Sequence, residues 1–92
     1  MSLPLISIAI ATKNREIFCI EAIKSLLTYD NSIVEIAIAD NSGTDKIKQF
    51  VTSLNAPNLK YRYDGIDNDS SIENFNRAIE LTTGQYVMLI GD

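Results

Sequence analysis

Apolar and polar positions fall in blocks along this chain, and the blocks alternate between two periods. Leu5 to Thr12 (LISIAIAT) is a continuous apolar run closed by polar residues, which predicts a strand. Cys19, Ile20, Ile23, Leu26 and Leu27 then recur at the spacing of one helix face, with Asn14 placed to cap a helix that begins at Arg15 and runs to about Leu27. Phe18 falls off that face. Tyr29-Asp30-Asn31-Ser32 reads as a turn. Val34 to Asp40 (VEIAIAD) follows as a second strand, and with Glu35 as its only charge before Asp40 it suits a parallel strand covered on both faces. Ser42 and Asp45 have capping-box spacing, and Ile47, Phe50, Val51 and Leu54 continue as one face of a second helix. Asn55-Ala56-Pro57-Asn58 ends it, because proline cannot continue the backbone bonding and restricts the residue before it.

The next block changes period again. Leu59, Tyr61 and Tyr63 alternate with Lys60, Arg62 and Asp64, a strand with one wet face that belongs at a sheet edge. After a polar loop (GIDNDS), Ser70 and Glu73 repeat the capping-box spacing. Ile72, Phe75, Ala78, Ile79 and Thr82 are expected on the inner face of a third helix, ending near Gly84 through a left-handed cap. Tyr86 to Ile90 (YVMLI) is a last apolar strand before Gly91-Asp92.

Strands alternating with helices imply parallel pairing through right-handed crossovers, hence a three-layer α/β/α architecture with a four-stranded parallel sheet. Of the orders 3-2-1-4 and 1-2-3-4, only the first puts the wet third strand at an edge. That order reverses beside the first strand, and ligands bind at such reversals, outside the carboxyl ends of the strands. The crevice there is expected to be lined by Thr12 to Arg15, Asp40 to Ser42, and Asp92.

Composition narrows the chemistry. The 92 residues allow one domain, and 46% hydrophobic with 22% charged residues is a globular rather than a disordered composition. A net charge of −4 argues against nucleic acid as a partner. The single cysteine, Cys19, forms no internal disulfide and reads as a small buried hydrophobe. The absence of a bilayer-length apolar run or a basic, then apolar, leader gives a cytoplasmic expectation. With no histidine, His-based acid/base chemistry and His metal ligation are excluded for these residues.

At the crevice, the first helix points its amino end and free N–H groups at any ligand, and Lys13 and Arg15 add charge, a combination that favours phosphate. Asp40 can accept hydrogen bonds from a base or sugar. Asp92, beside a diphosphate, is placed to hold Mg²⁺ or Mn²⁺. Neither G-x-x-x-x-G-K-[ST] nor G-x-G-x-x-G is present.

In this arrangement the chain resembles the family 2 glycosyltransferases. Their Pro-Thr-Tyr-Asn-Arg-like turn stands here as Ala11-Thr12-Lys13-Asn14-Arg15, and their Asp-Asp-Gly-Ser-Thr-Asp as Asp40-Asn41-Ser42-Gly43-Thr44-Asp45. The family's helix ending in Gly-Glu-Tyr-Val corresponds to Asn76 through Val87, and Leu89-Ile90-Gly91-Asp92 looks like the opening of the Gly-Asp-Asp-Asp motif of abequosyltransferase-like members. Ala11 stands for a proline and Lys13 for an aromatic, while Asn41 and the Ser42-Gly43 order depart from the second motif. The resemblance implies the amino-terminal half of a GT-A fold, binding a nucleoside diphosphate sugar. Thr12 and Asp40 would contact the nucleoside, with Asn14, Arg15 and Ser42 alongside, and Arg77 would lie near the diphosphate. Asp92 would open the metal motif.

It also implies a saccharide or lipid-linked acceptor bound by a second half, so that residues 1–92 are expected to be a donor-binding fragment without turnover, from a parent acting in the cytoplasm or at the inner face of the membrane. A fourth strand that is interior in the whole family fold would then be an open edge, giving an expected homo-oligomer. The alternative is a noncatalytic flavodoxin-like or receiver-like module. A receiver calls for paired acids where this chain has Ala11-Thr12-Lys13, and a flavodoxin-like loop calls for several Ser or Thr where only Thr12 stands.

Overall fold

A computed structural model of the chain describes residues 4–64 and 71–91. The elements follow one another as β1 (Ile6–Thr12), α1 (Glu16–Leu26), β2 (Val34–Asp40), α2 (Lys46–Leu54), β3 (Leu59–Tyr63), α3 (Ser71–Glu80) and β4 (Tyr86–Gly91). All pairings are parallel, and the sheet order is β3-β2-β1-β4, as the wet third strand predicts.

The two central strands alternate large with small side chains, and this decides which helices cover which face. Ile6, Ile8 and Ile10 of β1 lie in register with Val34, Ile36 and Ile38 of β2. Together with Cys19 and Ile23 of α1 and Ile47 of α2 they form the main core, so α1 and α2 share this face. Cys19 is fully buried and in no disulfide, the small hydrophobe the sequence suggests. Phe50, Val51 and Leu54 of α2 pack against the same cluster, as the helical spacing predicts. Phe18 is exposed.

Ser7, Ala9 and Ala11 of β1 and Glu35, Ala37 and Ala39 of β2 point the other way, toward α3. Ala9 and Ala39 meet Ala78, an all-alanine contact that lets the helix lie close to the sheet. That closeness corrects the predicted inner face of α3. The buried positions are Asn74 and Ala78, whereas Ile72 is 73% and Ile79 37% exposed. An alanine floor has room for a small residue and a hydrogen-bonding amide, and none for an isoleucine.

Two predicted helix starts also differ. Asn14 does not cap α1; the N-cap is Arg15, with no side-chain cap bond. Asp45 is the N-cap of α2, also without one, because the Ser42 hydroxyl is engaged with the β1–α1 loop. At the other end of α2, Asn55 adopts a left-handed conformation (φ 49°) and stops the helix before Pro57 is reached. Of the third capping box, Ser70 lies outside the described residues.

α3 ends at Glu80, four residues before Gly84, so Gly84 is no cap. Its role is close approach: a Cβ there would lie 2.6 Å from Ser7 Oγ and 2.9 Å from Ser7 N. Its N–H donates to Ser7 Oγ at 2.8 Å, and the Ser7 hydroxyl donates to Glu35 Oε1, also at 2.8 Å. Glu35 further accepts from Thr83 N–H and Thr83 Oγ1 at 2.8 Å each and pairs with Lys60 Nζ at 3.1 Å. Burial pushes the Glu35 carboxyl up, but the bonds from Thr83, Ser7 and Lys60 together hold it below the usual range. One buried carboxylate thus ties β1, β2, β3 and the α3–β4 turn together.

Candidate functional site at the carboxyl ends of the strands

The central strands end flush. Thr12 lies beside Asp40, and Asp40 beside Tyr63, while Gly91 of β4 lies beside Ala11. The two loops that leave β1 and β2 are bonded to each other across this end. Asn14 N–H donates to Ser42 Oγ at 2.9 Å, and Gly43 N–H donates to Asn14 Oδ1 at 2.7 Å. Asn14 holds a left-handed backbone (φ 56°), which asparagine tolerates better than most residues, and this turns its amide toward the neighbouring loop instead of its own helix.

The first N–H groups of α1 are consequently left without a side-chain cap, at the helix end that follows directly from the crevice. Lys13, Asn14 and Arg15 are exposed there. Arg15 lays its guanidinium over the exposed Phe18 ring, 4.7 Å from the centroid. Glu16, in the first turn of α1, is the opposing charge.

Asp40 is fully buried, and both its oxygens are engaged. Oδ1 accepts from Ser42 N–H at 2.8 Å, closing a tight turn, and Oδ2 accepts from the Tyr61 hydroxyl at 2.7 Å. Burial raises the Tyr61 phenol, and the Asp40 carboxylate reinforces the rise, so this hydroxyl stays a donor. Tyr63, two residues on, donates from its hydroxyl to Ser42 O at 2.9 Å. The two tyrosines of β3 thus hold the β2–α2 turn from the side.

From the opposite face, Asn74 of α3 donates through Nδ2 to Ala39 O at 3.0 Å and Thr12 O at 3.3 Å, carbonyls at the ends of β2 and β1. Asn74 Oδ1 and the Thr12 hydroxyl are buried with no partner among the described residues. A buried polar atom without a partner costs about 1–3 kcal/mol, so each of these two atoms favours a polar partner, ligand or water.

Thr12, Asn14, Asp40 and Ser42 therefore form one connected set, with Arg15 flanking it. Arg77 stands apart from that set: it pairs with Asp64 at 3.6 Å, beyond the end of β3, and with Glu73 at 3.1 Å. Asp92 lies outside the described residues. Among the described residues no three Asp, Glu or Cys side chains converge to hold a metal ion. Tyr61, Tyr63 and Asn74 are site residues that the sequence reading passes over. The tyrosines read as plain strand alternation, and Asn74 signals itself only as a polar residue on a helix whose buried face was assigned elsewhere.

Comparison with known proteins finds a family and two relatives. The family described as glycosyl transferase family 2 matches residues 7–92. A protein of Escherichia coli (strain K12), provisionally named colanic acid biosynthesis glycosyl transferase WcaA, is 41% identical over 91 residues, covering 97% of this chain and 32% of that protein. The GalNAc(5)-diNAcBac-PP-undecaprenol beta-1,3-glucosyltransferase of Campylobacter jejuni is 26% identical over 92 residues, covering 98% of this chain and 30% of that one. The chain thus spans about a third of the length of the curated relatives it matches. No solved structure matches.

Proposed function

The chain belongs to glycosyl transferase family 2, and from that premise we propose that its crevice at the carboxyl ends of β1, β2 and β4 binds the donor, a nucleoside diphosphate sugar. The observation that carries this reading is the uncapped start of α1 beside the reversal of strand order. Asn14, the residue in position to cap it, bonds the β2–α2 loop instead, and the free N–H groups with Lys13 and Arg15 favour an anion. On the other side of the crevice, the nucleoside is assigned to the strand ends at Thr12 and Asp40, whose side chains are buried in this structure, with Asn14 and Ser42 fixing the two loops. Arg77, through Asp64, supports the end of β3, apart from the start of α1, so the diphosphate is assigned to Lys13 and Arg15 rather than to Arg77.

Family membership favours this over the flavodoxin-like or receiver-like module. The finer placement among abequosyltransferase-like members rests on Leu89-Ile90-Gly91-Asp92. A divalent ion, Mg²⁺ or Mn²⁺, belongs to the reading through Asp92, and no step is routed through it. Transfer itself, to a saccharide or lipid-linked acceptor in the cytoplasm or at the inner membrane face, is assigned to the whole protein. The relatives' names, one for colanic acid biosynthesis and one for an undecaprenol-linked saccharide, support that acceptor class. No helix among the described residues is long and apolar enough to cross a membrane.

Asp40 is a poor place to test this, because its carboxylate also holds Ser42 and Tyr61, and its loss disturbs the turn whether or not a ligand binds. Lys13 and Arg15 are exposed and serve better. Calorimetric titration with a panel of nucleoside diphosphates is expected to give binding that weakens at least about tenfold in the Lys13→Glu, Arg15→Glu double variant, one charge-assisted contact being worth about 1.5–3 kcal/mol. Absence of binding at millimolar ligand, or equal binding by the variant, overturns the reading.

A further inference from the structure

Asn14 holds a conformation that its own helix does not call for. It stands immediately before the N-cap of α1, yet its backbone is left-handed (φ 56°) and its side chain bonds the β2–α2 loop. Gly43 N–H donates to Asn14 Oδ1 at 2.7 Å, and Asn14 N–H donates to Ser42 Oγ at 2.9 Å, so the two loops grip each other through a reciprocal pair of bonds. Two local preferences are given up for this pair, an ordinary backbone angle and a capped helix start. Local strain of this kind persists where tertiary contacts or function over-determine it.

Ser42 carries the clasp inward. It is fully buried, and its N–H donates to Asp40 Oδ1 at 2.8 Å, its carbonyl accepts from the Tyr63 hydroxyl at 2.9 Å, and its hydroxyl oxygen accepts from Asn14 N–H. Asp40 is held in turn by the Tyr61 hydroxyl at 2.7 Å. A continuous path of short hydrogen bonds thus runs from the loop that carries Lys13 and Arg15, through Asn14 and Ser42, to the buried end of β2.

On the donor reading of the crevice, on which this inference rests, the two ends of that path serve different parts of one ligand: the anion at the start of α1 and the nucleoside at the strand ends. We propose that Asn14 and Ser42 are positioning residues that couple these two parts, so that a nucleoside diphosphate is bound more tightly than its nucleoside and its diphosphate would be by two independently moving loops. The physical basis is effective concentration. A second contact made by a tethered group gains affinity only if the surface receiving it is held at the right distance and orientation from the first. The clasp fixes that distance. Neither residue has to touch the ligand for this, and Ser42, with its N–H, carbonyl and hydroxyl oxygen all engaged, acts through Asn14 and Asp40.

The test compares a whole ligand with its parts. Amide chemical shifts of the 92-residue chain are followed on titration with the nucleoside diphosphate that binds best in a panel, with the same nucleoside, and with inorganic pyrophosphate, in wild type, Asn14→Gly and Ser42→Ala. Glycine keeps the left-handed backbone and removes Oδ1. Alanine removes the acceptor of Asn14 N–H and leaves the backbone bonds of residue 42 to Asp40 and Tyr63 in place. The same spectra show whether each variant is folded, and if Ser42→Ala is not, Asn14→Gly decides. Each folded variant is expected to bind the nucleoside and pyrophosphate within about twofold of wild type but the nucleoside diphosphate at least about fivefold more weakly, the low end of a typical coupling between sites. A general loss of order weakens all three ligands alike, and a direct contact weakens one part as much as the whole. Either pattern overturns the coupling, and so does a whole-ligand affinity that the folded variants retain. A wild type that binds none of the three overturns the donor reading itself, a failure distinct from that of the coupling.

Discussion

Glu35 is a charged side chain in the middle of a covered strand, and its tolerance there depends on bonds from Ser7, Thr83 and Lys60. Its carboxyl is held below the ordinary value of 4.5, so on acidification the unfolded chain takes up this proton first. Stability from this group is thus complete above the ordinary value and is lost as pH falls through the lower, folded one. Glu35→Gln keeps the shape, loses the charge and is expected to cost about 1–3 kcal/mol at neutral pH. Thermal unfolding followed from about pH 6 to about pH 3 should show wild type losing more stability than the variant, whereas parallel curves would refute this role. The sequence displays Glu35 as an odd charge and gives no view of its partners, which lie up to 48 residues away. The same distance effect misplaces Asn14 and Ser42. Each has the local spacing of a cap, and each bonds the other's loop, because a tertiary partner 28 residues off competes with the helix end.

Among the elements, the strands and the α1 and α2 stripes follow from periodicity, since their large residues all seek one core. α3 does not. Its hydrophobic spacing points at Ile72 and Ile79, but the floor it meets is Ala9 and Ala39, and only the size alternation within ISIAIAT and VEIAIAD announces that. The close contact makes a prediction. Ala39→Leu pushes into space already filled by Ala78 and should destabilise by about 1–3 kcal/mol, read as a lower denaturant midpoint with unchanged slope. An unchanged midpoint would mean that α3 stands off the sheet.

For the whole molecule, one alternating strand was enough to read the order 3-2-1-4, and that order locates the crevice. Family membership then motivates the ligand class proposed for the crevice. The interlock of the two loops by Asn14 and Ser42, the support of Asp40 by Tyr61, and the bonds of Asn74 to the strand ends were not legible, because each depends on which elements become neighbours. The measurement that tests the donor-site account most directly is mapping of backbone amide shifts in the 92-residue chain on titration with a nucleoside diphosphate. The account predicts that the largest shifts fall on Lys13 to Phe18 and on Asn41 to Gly43, the start of α1 and the loop bonded to it. Shifts confined to Thr44, Lys48 and Tyr63, which line a recess of about 240 Å³ beside α2, would contradict it, and so would none at all.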